Sequence, residues 1–181
     1  MYSPPYNRVE NRTELLAFLQ SNSFPILVTG TGGVLHASHL PVTVHEQGEQ
    51  IVIDMHMAKN NPQWKEFFDD EVLVIFAGPH AYVSPRWYAD QERVPTWNYA
   101  AVHAYGVPTV ISERKAKAES QRRLIESLDH PIPPGPHRPI GVPLIPVGIG
   151  ITGGVEPLPG HAFAKGRGTE ETVQELIVAA Q

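Results

Sequence analysis

Cysteine is missing altogether from the 181 residues. Disulfide frameworks, thiolate metal sites and cysteine nucleophiles are thereby excluded. Basic residues are also in short supply: 14 Lys and Arg face 19 Asp and Glu, a formal net charge of −5 with histidine neutral. A protein whose affinity rested on nucleic-acid phosphates would need clustered Lys and Arg. The one cluster, Arg114, Lys115, Lys117, Arg122 and Arg123, falls on an expected helix and reads as a solvated helix face. No apolar run approaches the ~20 residues of a membrane helix. The opening MYSPPYNRVENRTE lacks the apolar stretch of a signal peptide. The expectation is a cytoplasmic protein with no membrane partner.

What is present suits one globular domain over residues 1–181, with 41% apolar and 18% charged residues. Asn11-Arg12-Thr13-Glu14 has the form of a capping box, and Leu15, Leu16, Phe18 and Leu19 make one helical stripe after it. A short helix to about Gln20 is predicted. FPILVTG, VLHASHLPVTVH, IVIDMHM, EVLVIFAG, AYVS and AAVHAYGVPTVIS read as strands. NNPQWKEFF reads as a short helix and ERKAKAESQRRLIESL as a longer one. TGTGG is a hairpin turn, because no helix follows it as a nucleotide loop would require. The fold class is mainly β with flanking helices, a closed or split antiparallel barrel. From Pro131 to Gly168 the composition changes, with nine Pro and nine Gly, residues that central strands tolerate poorly. Within this divergent segment PLIPVGIGIT can form an edge strand, and GTEETVQELIVAA predicts a final helix from Thr169.

Three stretches concentrate polar chemistry. HMAKNNPQW, from His56 to Trp64, puts His56, Lys59, Asn60 and Asn61 ahead of a helix start. Free backbone N–H groups, the helix dipole and the lysine charge together suit a phosphate monoester. A plainly capped helix with a solvated lysine uses the same residues. In HASHLPV, strand alternation places Ala37, His39 and Pro41 on one side and His36, Ser38 and Leu40 on the other. Small and polar residues there suit a flat or polar ligand, or an ordinary edge strand. His39 and His56 lack metal-ligand spacing, so no metal is expected. Finally, two of the three Trp and four of the six Tyr fall between Tyr82 and Tyr105. Such rings, mixed with Ser84, Arg86 and Asn98, suit an aromatic-ligand wall, a subunit seam or a core with polar tips.

GPHAYVSPRWY, VPTWNYAAVHAYG, SHLPV and HMAKNNPQW occur in one order along the chain. Together they resemble the signatures of the PaiB family, bacterial FMN-binding proteins described as negative transcriptional regulators. The resemblance runs to about Leu128. It implies an FMN-binding split β-barrel, similar to pyridoxamine phosphate oxidases and flavin reductases, and a homodimer with FMN at the interface. By the same resemblance His56, Lys59, Asn60 and Asn61 face the phosphate, and Ser38 and His39 lie near the isoalloxazine or ribityl chain. Trp97 and Asn98 close the pocket, from the second subunit in one arrangement. A DNA operator enters as a partner by resemblance only, since no helix-turn-helix is visible.

The chain departs from the family after Leu128. Members continue with a Gly-Lys stretch and a Ser-Gln-Asn motif; here Lys165 and Gly166 give a faint echo and no Ser-Gln-Asn follows. Such a Pro/Gly bias is what a shifted frame in GC-rich DNA yields. The sequence names no catalytic residue, with His39 the first candidate for a proton donor. Three readings stand: a PaiB-type regulator, an FMN-dependent oxidoreductase using reduced nicotinamide, and a flavin-free interaction module.

Overall fold

The computed structural model describes residues 9, 11–67, 71–89, 93–128, 144–151 and 174–179. Two helices, α1 (Arg12–Ser21) and α2 (Arg114–Leu128), flank eight strands. These are β1 (Ile26–Thr31), β2 (Val34–His39), β3 (Val42–Gln47), β4 (Gln50–Ala58), β5 (Val72–Val83), β6 (Thr96–Val110), β7 (Leu144–Ile151) and β8 (Gln174–Ala179). All pairings are antiparallel, in the order β2-β1-β5-β6-β7-β4-β3 with β8 also on β6. Residues Thr96–Gly106 of β6 pair with β5, whereas Val107–Val110 pair with β7. One strand thus belongs to two sheets, as the barrel expectation requires. No helix of the described residues is long and apolar enough to cross a membrane.

Local chemistry accounts for the individual elements. Asn11 caps α1, its Oδ1 accepting from the amides of Thr13 and Glu14. The TGTGG turn joins β1 to β2 with Gly32 at φ 61° and Gly33 at φ 85°, the two left-handed positions of a tight hairpin turn. Leu15 and Leu19 of α1 enter a core with Leu27, Val42, Val74, Phe76 and Val102. Ile51, Ile53, Met55 and Met57 of β4 alternate into that core, each at 0% exposure. On the other face of β4, Asp54 and His56 are buried against α2. β4 is therefore covered on both sides, and its alternation of apolar and polar residues separates two different kinds of interior.

Four expectations change. VLHASHLPVTVH divides at Leu40-Pro41 into β2 and β3, which lie at opposite ends of the strand order. EVLVIFAG and AYVS form one strand, β5, with a bulge between Ala77 and His80 that absorbs Gly78 and Pro79. The PLIPVGIGIT strand is internal rather than at an edge, lying between β6 and β4. Pro146 is tolerated there for a definite reason. Its partner His56 directs its N–H to Pro41 on the β3 side, so the missing Pro N–H faces β6, whose ladder ends at Val110↔Val147. Residues 174–179 are a strand on β6 and not part of a helix; the open side of Tyr99–Ala104 supplies backbone partners that helix propensity does not outweigh. The start of that predicted helix at Thr169, Lys165 and Gly166, and most of the segment 131–168 lie outside the described residues.

Gly78 marks where α1 meets the bulge. A Cβ there would lie 2.5 Å from Phe18 Cε2 and 3.2 Å from the Ala100 carbonyl oxygen. Gly78→Ala is expected to lower stability by about 1–3 kcal/mol, because the Phe18 ring must move. Chemical denaturation measures the loss, and Phe18→Leu in the same chain should recover part of it.

Candidate functional site

β4 ends in a tight turn, Asn61 N–H donating to Ala58 O at 2.9 Å. Lys59 and Asn60 are exposed at its tip. Trp64 braces the turn from behind, its Nε1 donating to Lys59 O at 3.1 Å. Asn61 works in two directions. Its Oδ1 accepts from Gln63 N at 3.0 Å, and its Nδ2 donates to Ser38 Oγ at 3.0 Å. The turn and β2 are thus tied together by two candidate residues. The expected helix is only the five-residue 3-10 turn Pro62–Glu66. It is too short to develop a macrodipole, and one of its leading amides is already occupied by Asn61. Any anion held here would depend on Lys59 and on the side-chain donors.

The other candidates, His39, His56, Trp97 and Asn98, engage other partners. Ser38 and His39 project from opposite faces of β2; the His39 ring stacks on Phe24 at 5.8 Å between centroids. His56 is 2% exposed, and its Nε2 is 3.1 Å from Ser120 Oγ of α2. Trp97 and Asn98 stand opposite Tyr82 and Ala81 across the β5–β6 ladder. Trp97 stacks with His80 at 5.7 Å, yet is 55% exposed. Asn98 Oδ1 is buried without a protein partner. Tyr82, Trp87, Tyr88 and Val94 are exposed as well. Within one chain these rings are left open to the surface and take no part in the core.

A second network escaped sequence reasoning. Glu66 Oε1 is 2.7 Å from His36 Nδ1, and Glu66 Oε2 accepts from Thr29 Oγ1 at 2.7 Å. Gln63 Nε2 reaches Thr29 Oγ1 at 3.1 Å, His36 O at 3.2 Å and Leu27 O at 3.3 Å. The Thr29 hydroxyl, and then His36, hold the Glu66 carboxyl below its usual range. The one sequence signal was His36 sharing a strand face with Ser38; its acidic partner lies 30 positions away.

Under α2, Arg123 Nη2 meets Asp54 Oδ2 at 2.6 Å. Arg122 is paired with Glu119 and Glu126, each at 2.6 Å. Much of the basic character of α2 is therefore neutralised within the chain. Among the described residues no cluster of His, Asp and Glu could hold a metal ion.

His56 gives this region a pH dependence. Burial, the largest cause, pushes its pKa below the ordinary imidazole value of 6.5, against the raising effects of Ser120 and Asp54. Folding therefore excludes a proton that the unfolded chain accepts. The contribution of His56 to stability is complete above about pH 6.5 and is lost as pH falls from there through the depressed folded value. Urea midpoints should fall between pH 7.5 and pH 5 in the native chain, and fall less in His56→Asn.

The family model described as "Putative FMN-binding domain" matches residues 1–139. The Bacillus subtilis protein "Protease synthase and sporulation protein PAI 2" is 42% identical over 130 residues, covering 71% of this chain and 62% of that protein. The chain spans less than two thirds of the length of the curated relatives it matches. Among solved structures, the FAD binding protein from Mycobacterium smegmatis superposes with a TM-score of 0.54 at 13% identity. That match covers 96% of this chain and 99% of the other. A Corynebacterium glutamicum structure described as a "Putative pyridoxamine 5'-phosphate oxidase" gives a TM-score of 0.50 at 14% identity, covering 96% and 98%. These distant likenesses concern the fold.

Proposed function

The chain belongs to the PaiB family of FMN-binding domains, with FMN as its cofactor; from that premise we propose a cytoplasmic homodimer, each chain one domain, whose flavin responds to or drives redox chemistry. In this reading the FMN phosphate is held by Lys59, Asn60, Asn61 and Ser38. One observation carries it: Asn61 and Ser38 are joined at 3.0 Å beside an exposed lysine. The donor set fits the group, since a phosphorylated polyol needs a cation with hydroxyl and amide donors around it. Ser38 keeps its hydroxyl proton to donate while accepting from Asn61.

Trp97 and Asn98 of a second subunit would cover the ring system. The exposed Trp97 and the unpaired Asn98 Oδ1 support this, because neither has a reason to remain open in a finished site. His39 would stand beside that seam. His56 serves the α2 interior in this arrangement and contacts the cofactor only through the strand it shares with Lys59. When bound, FMN supplies hydride and electron transfer, and the protein supplies position and electrostatics.

The family's regulatory role is the first reading of the biology, with a DNA operator as partner on family grounds alone. A second reading, an FMN-dependent oxidoreductase, is favoured by the His36–Glu66 pair. Purified protein should be yellow, should elute at the mass of two chains and should bind FMN with equal stoichiometry. Trp97→Ala should lower both dimer mass and flavin content together. Loss of flavin without loss of the dimer would remove the shared-pocket arrangement. NADPH oxidation by the yellow protein supports the second reading, and salt-dependent, sequence-selective DNA binding supports the first.

A further inference from the structure

We propose that His36 and Glu66 form a proton-transfer pair at the flavin site, with His36 Nε2 exchanging the proton and Glu66 positioning the ring. This rests on the FMN reading above. The carboxylate is fixed at both ends: Oε1 by His36 Nδ1 and Oε2 by the Thr29 hydroxyl, each at 2.7 Å. Gln63, itself 3% exposed, completes the chain by donating to Thr29 Oγ1. Glu66 therefore has one orientation, and so does the imidazole that it holds.

The exposures differ in the sense that proton transfer requires. The Glu66 side chain is 16% exposed and that of His36 is 51% exposed. The orienting group is inside, and the ring it orients opens outward. With Nδ1 committed to the carboxylate, the neutral ring offers its lone pair at Nε2, and the protonated ring offers a donor there. Glu66 fixes the direction of the ring, as a carboxylate does behind a catalytic histidine. β1 carries no titratable side chain, and Lys65 of the 3-10 turn is directed over the Trp64 ring.

Placement links the pair to the cofactor site. His36 and Ser38 share one face of β2, roughly 7 Å apart along the strand. Their cross-strand partners Thr29 and Leu27 share that face, and Ser38 is bonded to Asn61. In two-electron transfer from a reduced nicotinamide to a small oxidised acceptor, the nicotinamide loses a hydride and is oxidised. The acceptor gains that hydride equivalent and one proton. His36 gives the proton from Nε2, becomes neutral and is recharged from water.

The test is the midpoint potential of FMN-loaded protein from pH 5 to 9, followed by absorbance against a reference dye. The native protein should show an inflection within this range. His36→Asn should lose it, and Glu66→Gln should displace it. Native protein that takes up no FMN would overturn the cofactor reading and this proposal with it. Loaded proteins with the same profile in all three forms would overturn the pair alone. Should His36→Asn fail to fold, Glu66→Gln decides, since an undisplaced inflection there also counts against the pair.

Discussion

Arg123→Ala is expected to destabilise the protein by about 3–5 kcal/mol, the range for stranding one member of a buried ion pair. The cost lies in what remains. The Asp54 side chain is 4% exposed, and its bond to Arg123 Nη2 is 2.6 Å long. Without the guanidinium a carboxylate stays in the interior with no counter-charge. Asp54→Ala should cost less, about 1–2 kcal/mol, because Arg123 is one third exposed and can turn to Glu119 or to water. The asymmetry is the informative result. Urea denaturation of both variants measures it, and equal losses would contradict the account from burial. Replacing both residues by well-packed apolar ones should be close to neutral. Arg123→Ala should also loosen α2, since Ser120 is the helix's one buried residue and Ile125 and Leu128 are exposed. Polar contacts to Asp54 and His56, more than packing, hold this helix on β4, so its amides should exchange faster in the variant.

The second large effect concerns the cofactor. Lys59→Glu should weaken FMN binding about a hundred-fold, or roughly 3 kcal/mol. A charge-assisted contact to phosphate contributes about 1.5–3 kcal/mol, and reversing the charge adds repulsion to its loss. Lys59→Gln should cost nearer ten-fold, and added salt should narrow the gap between native and variant proteins. Lys59 is exposed and its carbonyl, not its side chain, receives Trp64, so neither substitution should alter thermal stability much. Quenching of flavin fluorescence reports the affinity. An unchanged dissociation constant in Lys59→Glu would remove the lysine from the phosphate site.

Locally coded features were legible in the residues. Asn11 announced the cap of α1, Gly32 and Gly33 announced the hairpin turn, and four motifs announced the family. Features set by distant partners were not. QELIVA fits a helix pattern, and only the open side of β6 makes it a strand. Pro146 argued for an edge strand, because nothing near it reveals that the β6 ladder stops at Val110. His36 and Glu66 are separated by a second hairpin and a turn, and Asp54 and Arg123 by 69 positions. Strand alternation did predict that Ser38 and His39 face opposite ways. The resemblance grouped them at one ligand, and within one chain the backbone separates them.

The pairing of Ile51 with Ile151 has a consequence for biosynthesis. A ribosome adding about 5–20 residues per second exposes β4 for roughly 5–20 s before its neighbour is made. During that interval a strand with four alternating apolar side chains presents an open hydrogen-bonding edge, a template for association between nascent chains. Yield in a cell should therefore depend on translation speed and chaperone supply, even for variants whose finished form is as stable as the original.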